Sequence, residues 1–269
     1  MPASLLGMEG KAVMVIGGGQ GMGESTARFL AMAGADVALV DVVLERAENV
    51  AKSVQHLGRK GVAVLGDVLD DSQLDRIVAE AEEKLGGLDG MVAIVGAAAF
   101  ESIFEMRTET WDFEFARNLR YVFTAGRAVA QSMVRRGVPG AMVCIASVDG
   151  MQGSPMHAAY GAAKAGLINL VQSMAVEWAE HAIRVNAIAP GHIVTPRLYD
   201  TSARADWYRE SLIPMKRRGT TDEIGKAALF LLSDLACYIT GITLPVDGGL
   251  MSANRVHSGP MFRNAAGSQ

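Results

Sequence analysis

Ala12-Val13-Met14-Val15-Ile16 leads directly into Gly17-Gly18-Gly19-Gln20-Gly21-Met22-Gly23, and this stretch decides the fold. The five apolar residues predict a buried strand, and helical periodicity runs from Met22 to about Ala33. Glycines between a strand and a helix let backbone amides approach a pyrophosphate, which the positive end of the helix also attracts. The stretch predicts a dinucleotide-binding turn, although glycines alone are also compatible with a plain flexible turn. The candidate cofactor-binding residues in it are Gly17, Gln20, Gly21, Met22 and Gly23.

An acidic residue stands where the second strand, Asp36 to Val40, should end. Asp41 lies 18 residues after Gly23, where a carboxylate can accept hydrogen bonds from both hydroxyls of an adenosine ribose. Because the same charge repels a 2′-phosphate, NAD is favoured over NADP as the cofactor. A surface aspartate at a strand end is the alternative. Asp67, just after the third strand, is equally compatible with binding the adenine amino group and with capping a loop.

Short apolar runs alternate with longer segments of helical periodicity, which predicts a parallel sheet covered by helices on both faces. The further strands are expected at Val62 to Leu65, Met91 to Val95, Ala141 to Ile145, Arg184 to Ile188 and Thr243 to Val246. The further helices are expected at about Leu44 to Leu57, Asp71 to Leu85, Thr110 to Val134 and His157 to Ala179. A last helix should begin at Thr220 or Thr221, because Thr220 and Glu223 have the spacing of a capping box. The whole chain, residues 1–269, is therefore predicted to be one doubly wound α/β domain with a seven-stranded parallel sheet.

Two segments lack a clear strand or helix pattern. Residues from about 192 to 219 form a long connection that includes Trp207 and Tyr208, and such connections are often lids over sites. The tail, residues 254–269, contains no acidic residue. It either crosses to a neighbouring subunit or remains a disordered terminus.

Composition excludes several classes of protein. The net charge of the 269 residues is only -4, so no global basic field favours nucleic acid or an anionic membrane. No apolar run reaches the ~20 residues that span a bilayer, and the N-terminus does not have a signal-peptide pattern. Cys144 and Cys237 lie far apart, which fits a reducing compartment, so a cytoplasmic protein is expected. No metal-binding motif is present, and a small molecule is the expected partner.

The catalytic half of the sequence resembles a known family. Tyr160-Gly161-Ala162-Ala163-Lys164 resembles the Y-x-x-x-K signature of the short-chain dehydrogenase/reductase superfamily, and Ser147 lies 13 residues upstream, as in that family. Asn118, in Arg117-Asn118-Leu119, resembles its fourth catalytic member. The likeness extends from the Gly-rich turn through Pro190-Gly191 and Thr195-Pro196 to Asp247-Gly248-Gly249. It implies a Rossmann domain with strand order 3-2-1-4-5-6-7.

The resemblance also implies a reaction and a role for each residue. The expected reaction moves a hydride between NAD(H) and the carbon of a secondary alcohol or ketone. Tyr160 would exchange the proton, Ser147 would hold the substrate oxygen, Lys164 would hold the nicotinamide ribose, and Asn118 would position a water that relays protons. The other residues expected along the cofactor are Val68, Val95, Gly96, Pro190, Gly191, Ile193 and Thr195.

The spacing of Tyr160 and Lys164 has a chemical reason. Residues four apart on a helix share one face, so the Lys164 ammonium is expected near the Tyr160 phenol. A cation at that distance lowers the pKa of a tyrosine below its ordinary value of about 10. The expectation is therefore a Tyr160 phenolate that acts as a base near neutral pH.

The substrate is less clearly indicated. Asp149, His157 and His192 flank the expected site, and each is either a substrate contact or a packed or solvated side chain. Together with Trp207 and Tyr208 in the connection, they are the candidate substrate-binding residues beside Ser147. The apolar residues Met151, Met156, Trp207 and Tyr208 suggest an apolar, cyclic alcohol.

The sequence departs from the family at two places and leaves rival functions open. The family has Thr at Ile16 and Asn-Asn-Ala-Gly at Ala93-Ile94-Val95-Gly96, so polar ties beside the cofactor are in doubt. The rivals are a reductase of 3-oxoacyl thioesters and a non-catalytic NAD-binding regulatory protein. The helix from His157 to Ala179 is apolar around most of its circumference, which predicts a homodimer or homotetramer.

Overall fold

Seven parallel strands form one sheet in the order β3-β2-β1-β4-β5-β6-β7, in a computed structural model that describes residues 5–196 and 212–253. The predicted strand order and fold class are thereby confirmed. The strands are β1 (Ala12–Ile16), β2 (Asp36–Asp41), β3 (Gly61–Leu65), β4 (Gly90–Ala93), β5 (Gly140–Ile145), β6 (Ile183–Pro190) and β7 (Thr243–Val246).

Helices cover both faces of the sheet, as predicted. They are α1 (Met22–Met32), α2 (Leu44–His56), α3 (Asp71–Leu85), α4 (Thr108–Phe115), α5 (Tyr121–Arg136), α6 (Ala158–Trp178) and α7 (Thr221–Leu232). Helices α3, α5 and α6 bury apolar side chains against one face, and α1, α2 and α7 bury theirs against the other. Both faces are apolar because each strand alternates its side chains between two cores. None of the helices in the described part of the chain is long and apolar enough to cross a membrane.

The predicted single helix from Thr110 to Val134 is wrong in one respect. A π-helical turn, Ala116–Arg120, separates α4 from α5. The side-chain Nδ2 of Asn118 donates to the backbone oxygen of Glu114 and to that of Ala97, each at 3.0 Å. A side chain that takes the helical carbonyl as its acceptor widens the turn at this point.

The connection between β6 and α7 is tied at both ends. Val194 N donates to Gly219 O at 2.9 Å, and Gly219 N donates to His192 O at the same distance. Helix α7 then begins with the predicted capping box of Thr220 and Glu223. The centre of the predicted lid, including Trp207 and Tyr208, lies outside the described residues, as does the predicted tail, residues 254–269.

Candidate active site

The Gly-rich turn lies where β1 passes into α1, and its backbone has a shape that side chains would prevent. Gly17 and Gly21 have φ angles of +81° and +60°, and a Cβ on Gly23 would lie 2.0 Å from the Gly17 carbonyl oxygen. The turn borders a cavity of about 470 Å³. This cavity is lined by the predicted residues Gly17, Gln20, Gly21, Met22, Asp41, Asp67, Val68, Val95, Gly96 and Thr195. The turn from Gly17 to Gly23, called the glycine cradle below, therefore has a shape that fits a dinucleotide.

Asp41 is buried at the carboxyl end of β2 and is held by the backbone. Its Oδ2 accepts from Gly19 N at 3.2 Å, and its Oδ1 accepts from Val43 N at 2.9 Å. Arg46 Nη2 also lies 3.3 Å from Asp41 Oδ1. Sequence reasoning missed Arg46, although its place in the first turns of α2, five residues after Asp41, was a usable signal.

Asp67 also lines the cavity, and one of its oxygens has a structural role. Asp67 Oδ1 accepts from Leu69 N at 2.9 Å, a local turn contact of the kind that aspartate often makes. Both interpretations of this residue thus have support: it borders the cavity and it stabilises its own loop.

A second cavity of about 170 Å³ adjoins the first. Ser147, Tyr160 and Lys164 line it together with Gly96, Pro190, Gly191, Ile193 and Thr195. The two cavities share Met22, Ile94, Gly96 and Thr195. The sheet brings these residues together because the carboxyl ends of β1, β4, β5 and β6 meet at one edge.

The expected lowering of the Tyr160 pKa is not what the structure gives. Burial raises the pKa of Tyr160 to about 12, and the hydrogen bond with Ser147 opposes this only in part. Lys164 Nζ lies 5.7 Å from the centre of the Tyr160 ring and donates to Ile145 O at 2.7 Å. Burial lowers the pKa of Lys164 itself to about 8. Tyr160 and Lys164 therefore lie near each other as predicted, but desolvation of both groups, which spacing does not reveal, reverses the expected change in the Tyr160 pKa.

Asn118 is completely buried beneath these residues. Its Nδ2 also donates to Glu114 Oε2 at 3.0 Å, whereas its Oδ1 has no hydrogen-bond partner among the described residues. A Cβ on Gly96 would lie 2.7 Å from Asn118 Oδ1 and 3.2 Å from Lys164 Nζ, so both atoms face one small space. An unpaired buried acceptor beside an ammonium fits the predicted role of holding a water.

The candidate substrate residues Asp149 and His157 form a pair beside Tyr160. His157 Nδ1 lies 2.8 Å from Asp149 Oδ2, and the ring of His157 packs edge-on against Phe100 and Tyr160. Burial raises the pKa of Asp149, but hydrogen bonds from His157 and Ser154 outweigh it, so that this pKa lies below its ordinary value. His192 is near enough to lower the same pKa further. Phe100, which follows β4 and is 76% exposed, was missed because its loop carries no motif.

One of the two departures from the family pattern has a local substitute. Ile16 and Ala93 are fully buried, so the polar ties of the family are indeed lost there. The turn after β4 is instead held by Tyr121, whose hydroxyl donates to Val95 O at 2.7 Å, while Ile94 N continues the β1–β4 ladder to Ile16 O at 3.0 Å.

Comparison with known proteins agrees with this geometry. The family model described as enoyl-(acyl carrier protein) reductase matches residues 17–251. L-rhamnose 1-dehydrogenase (NAD(P)(+)) of Sphingomonas sp. strain SKA58 is 35% identical over 246 residues, which cover 90% of this chain and 97% of that protein. The chain belongs to the short-chain dehydrogenase/reductase superfamily.

Other members of the superfamily are similar along their whole length. The 3-oxoacyl-(acyl-carrier-protein) reductase FabG of Thermotoga maritima is 33% identical, over 91% of this chain and 99% of that protein. The crystal structure of carveol dehydrogenase from Mycobacterium avium in complex with NAD matches with a TM-score of 0.86 at 29% identity, over 91% and 99% of the two chains. This short-chain dehydrogenase/reductase is therefore an oxidoreductase, as predicted from the resemblance.

Proposed function

We propose that this oxidoreductase transfers a hydride between NAD(H) and a secondary alcohol or ketone. The observation that carries the proposal is the small cavity that holds Ser147, Tyr160 and Lys164 and opens to the glycine cradle. A hydroxyl pair that can bind one substrate oxygen thus lies beside a fold that accepts a dinucleotide.

The proposed chemistry divides the proton from the hydride. In alcohol oxidation, Tyr160 accepts the hydroxyl proton, and in ketone reduction it returns that proton. Ser147 donates a hydrogen bond to the substrate oxygen, and Lys164 supplies positive charge beneath the phenol. Asn118, through its unpaired Oδ1, holds a water that passes the proton outward. The nicotinamide supplies the hydride acceptor or donor when it is bound.

NAD is the proposed cofactor. Asp41 would accept hydrogen bonds from the adenosine ribose, the amides of the turn from Gly17 to Gly23 would bind the pyrophosphate, and Thr195 with the backbone of Ile193 would hold the carboxamide. The main support is the burial of the Asp41 carboxylate at the wall of the larger cavity. A 2′-phosphate would meet this carboxylate as a like charge.

The proposed substrate is an apolar or cyclic alcohol. Phe100, Met151 and Met156 are exposed on the loops that lead to the Asp149 and His157 pair, and they offer apolar contact area. Glu101 N donates to Met156 O at 3.0 Å, so these two loops lie side by side. The similarity to carveol dehydrogenase supports the same class.

The decisive experiment measures NADH formation at 340 nm with a panel of cyclic and acyclic secondary alcohols. Turnover with at least one alcohol is expected. NAD binding, followed by fluorescence, without turnover of any alcohol or ketone would favour the non-catalytic NAD-binding protein instead.

Reduction of a 3-oxoacyl thioester is a second candidate, favoured by the 33% identity to the Thermotoga maritima reductase. This candidate function predicts that NADPH is oxidised faster than NADH with a 3-oxoacyl thioester. The Asp41 carboxylate opposes such a preference, because it repels the 2′-phosphate of NADPH. Comparing both cofactors on one thioester separates the two candidates.

We also propose that the protein is cytoplasmic and forms a homodimer or homotetramer. Both cysteines are free thiols, Cys144 buried and Cys237 exposed, which fits a reducing compartment. Assembly is supported by Val176 of α6, an apolar side chain that is 79% exposed.

A further inference from the structure

Glu114 is a buried carboxylate that no catalytic motif accounts for. It lies on α4, one helical turn before Asn118, and only 1% of its surface is exposed. Arg117 forms an ion pair with its Oε1, which also accepts from Ala99 N at 3.0 Å. Its Oε2 accepts from Asn118 Nδ2 at 3.0 Å. Burying a charge is unfavourable even when the charge is paired, so a carboxylate at this position indicates a specific role.

The hydrogen-bond donors around the Glu114 side chain require a carboxylate, because an amide of the same size has only one acceptor oxygen. Oε1 receives two donors and Oε2 receives a third, so both oxygens must be acceptors. The Asn118 amide then has only one orientation, because Nδ2 faces three acceptors on Glu114 and Ala97. Its Oδ1 is consequently turned toward the space that it shares with Lys164 Nζ.

We propose that Glu114 is a positioning residue, whose carboxylate, held by Arg117, fixes the Asn118 amide with Oδ1 toward Lys164. This inference rests on the proposed function, in which Asn118 Oδ1 holds the relay water. Glu114 does not touch the reacting atoms and acts through Asn118.

The charge of Glu114 also reaches Tyr160, which gives the proposal a second readout. Burial has the largest influence on the pKa of Tyr160; Asp149 and Glu114 raise this pKa further, whereas Ser147 and Arg117 lower it. His157 and Lys164 are the remaining titratable groups against the ring. Glu114 also affects the pKa of Lys164. Burial lowers this pKa, whereas Cys144 and Glu114 raise it. Neutralising Glu114 should therefore favour the Tyr160 phenolate.

The first test is Glu114→Gln, which keeps the shape and removes the charge. Oε1 receives two donors, so the amide oxygen should take that place and the NH₂ group should face Asn118 Nδ2. The two NH₂ groups should repel each other. Because Asn118 Nδ2 keeps Glu114 O and Ala97 O as acceptors, the Asn118 amide should be displaced rather than inverted, and Oδ1 should move away from Lys164 Nζ. We expect kcat for alcohol oxidation to fall by about 10-fold to 100-fold, while the Kd of NADH, measured by fluorescence, changes less than about threefold. The acid limb, meaning the part of the pH profile where kcat rises with pH, should also move to lower pH, because the pKa of Tyr160 falls.

Two further variants separate geometry from charge. Glu114→Asp keeps the charge but is too short to reach Asn118, so kcat should fall with little movement of the acid limb. This variant decides the matter if Glu114→Gln does not fold. Glu109→Gln makes the same change at an exposed position of α4 and should resemble the wild type in kcat and in its acid limb.

The outcomes distinguish this inference from the proposed function. If Tyr160→Phe is inactive but both Glu114 variants keep wild-type kcat and pH profile, Glu114 has no positioning role. If Tyr160→Phe remains active, the proposed function itself fails. A fall in kcat accompanied by an equal loss of NADH affinity would indicate general damage to the site and would also overturn the inference.

Discussion

Arg46 Nη2 lies 3.3 Å from Asp41 Oδ1 at the carboxyl end of β2, so the proposed cofactor-selecting carboxylate is paired with a cation. Asp41 is almost completely buried and lines the larger cavity, whereas the Arg46 side chain is 31% exposed and contacts Asp41 from outside the cavity lining. A carboxylate fixed by two backbone amides can accept from a ribose diol, and the neighbouring guanidinium can pair with a phosphate if the carboxylate is removed.

The first prediction concerns cofactor choice. The wild type should prefer NAD, because Asp41 gains charge-assisted hydrogen bonds from the ribose and repels a 2′-phosphate. Asp41→Ser should lose roughly one to two decades in kcat/KM for NAD, from about 1.5 to 3 kcal/mol of lost hydrogen bonding. Its use of NADP should improve, because Arg46 is freed to pair with the phosphate. The measurement is kcat/KM for both cofactors with one alcohol held saturating.

The double variant Asp41→Ser, Arg46→Met is the control for this prediction. It should lose the NADP activity that Asp41→Ser gains. If the wild type uses NADP as well as NAD, or if Asp41→Ser leaves their ratio unchanged, Asp41 does not contact the ribose.

The second prediction concerns Tyr160. Tyr160→Phe keeps the ring and removes the proton carrier, so turnover should fall by at least ~10²-fold while NAD still binds. Tyr238→Phe makes the same change at a fully exposed tyrosine and should leave turnover unchanged. Near-normal turnover by Tyr160→Phe on the best alcohol would refute the assigned proton transfer.

Local signals in the sequence predicted the fold almost completely. The predicted bounds of β1, α3 and β7 coincide with the observed ones, because apolar runs and helix caps are encoded by neighbouring residues. The turn at Ala116–Arg120 was not predictable in this way. It depends on a contact between Asn118 and Ala97, which lie 21 residues apart.

The sequence motifs predicted the main residues of the candidate site, but not the residues that contact and position them. Glycine spacing and the Tyr160 to Lys164 interval indicated the residues that the two cavities bring together. Arg46 was indicated only by its place five residues after Asp41. Glu114, which contacts Arg117, Ala99 and Asn118, is marked by no short pattern. The pKa of Tyr160 was given the wrong direction because burial, which decides it, cannot be measured from spacing.

The third prediction follows from that raised pKa. In the protein without added cofactor, tyrosinate absorbance from Tyr160 should have a midpoint near 12, two units above the ordinary value of 10. The measurement is absorbance at 295 nm, with the titration of Tyr160→Phe subtracted from that of the wild type. Saturating NAD should lower the midpoint, because its positive charge favours the phenolate. A midpoint at or below 10 without cofactor would contradict the burial argument.

The fourth prediction concerns assembly. Helix α6 buries Leu167, Val171 and Met174 against the sheet, while Val176 remains 79% exposed. Light scattering at micromolar concentration should show a dimer or tetramer, and Val176→Lys should shift it toward the monomer. Leu57→Lys, at the end of α2, is the control and should not change the mass. A wild type that is only monomeric would refute this surface as an interface.

The last prediction concerns the cost of burying Lys164. Its folded pKa of about 8 lies below the ordinary 10.5, so the unfolded chain binds more protons than the folded one between these two values. The contribution of Lys164 to the free energy of unfolding should therefore rise with pH across that window, because the folded protein loses its unfavourable buried charge at lower pH than the unfolded chain loses the same charge. Lys164→Met cannot show this rise. Any advantage in stability that the variant has at pH 7.5 should therefore shrink by about 2 kcal/mol at pH 10, measured by urea unfolding at equal protein concentration. Folded Tyr160 titrates above this window, and the unfolded tyrosine, with a pKa near 10, is the same in both proteins, so Tyr160 cancels from the comparison. If the free energy of unfolding had the same pH dependence in both proteins, the pKa of Lys164 would be the same in the folded and unfolded chains. Burial of the ammonium would then not destabilise the fold.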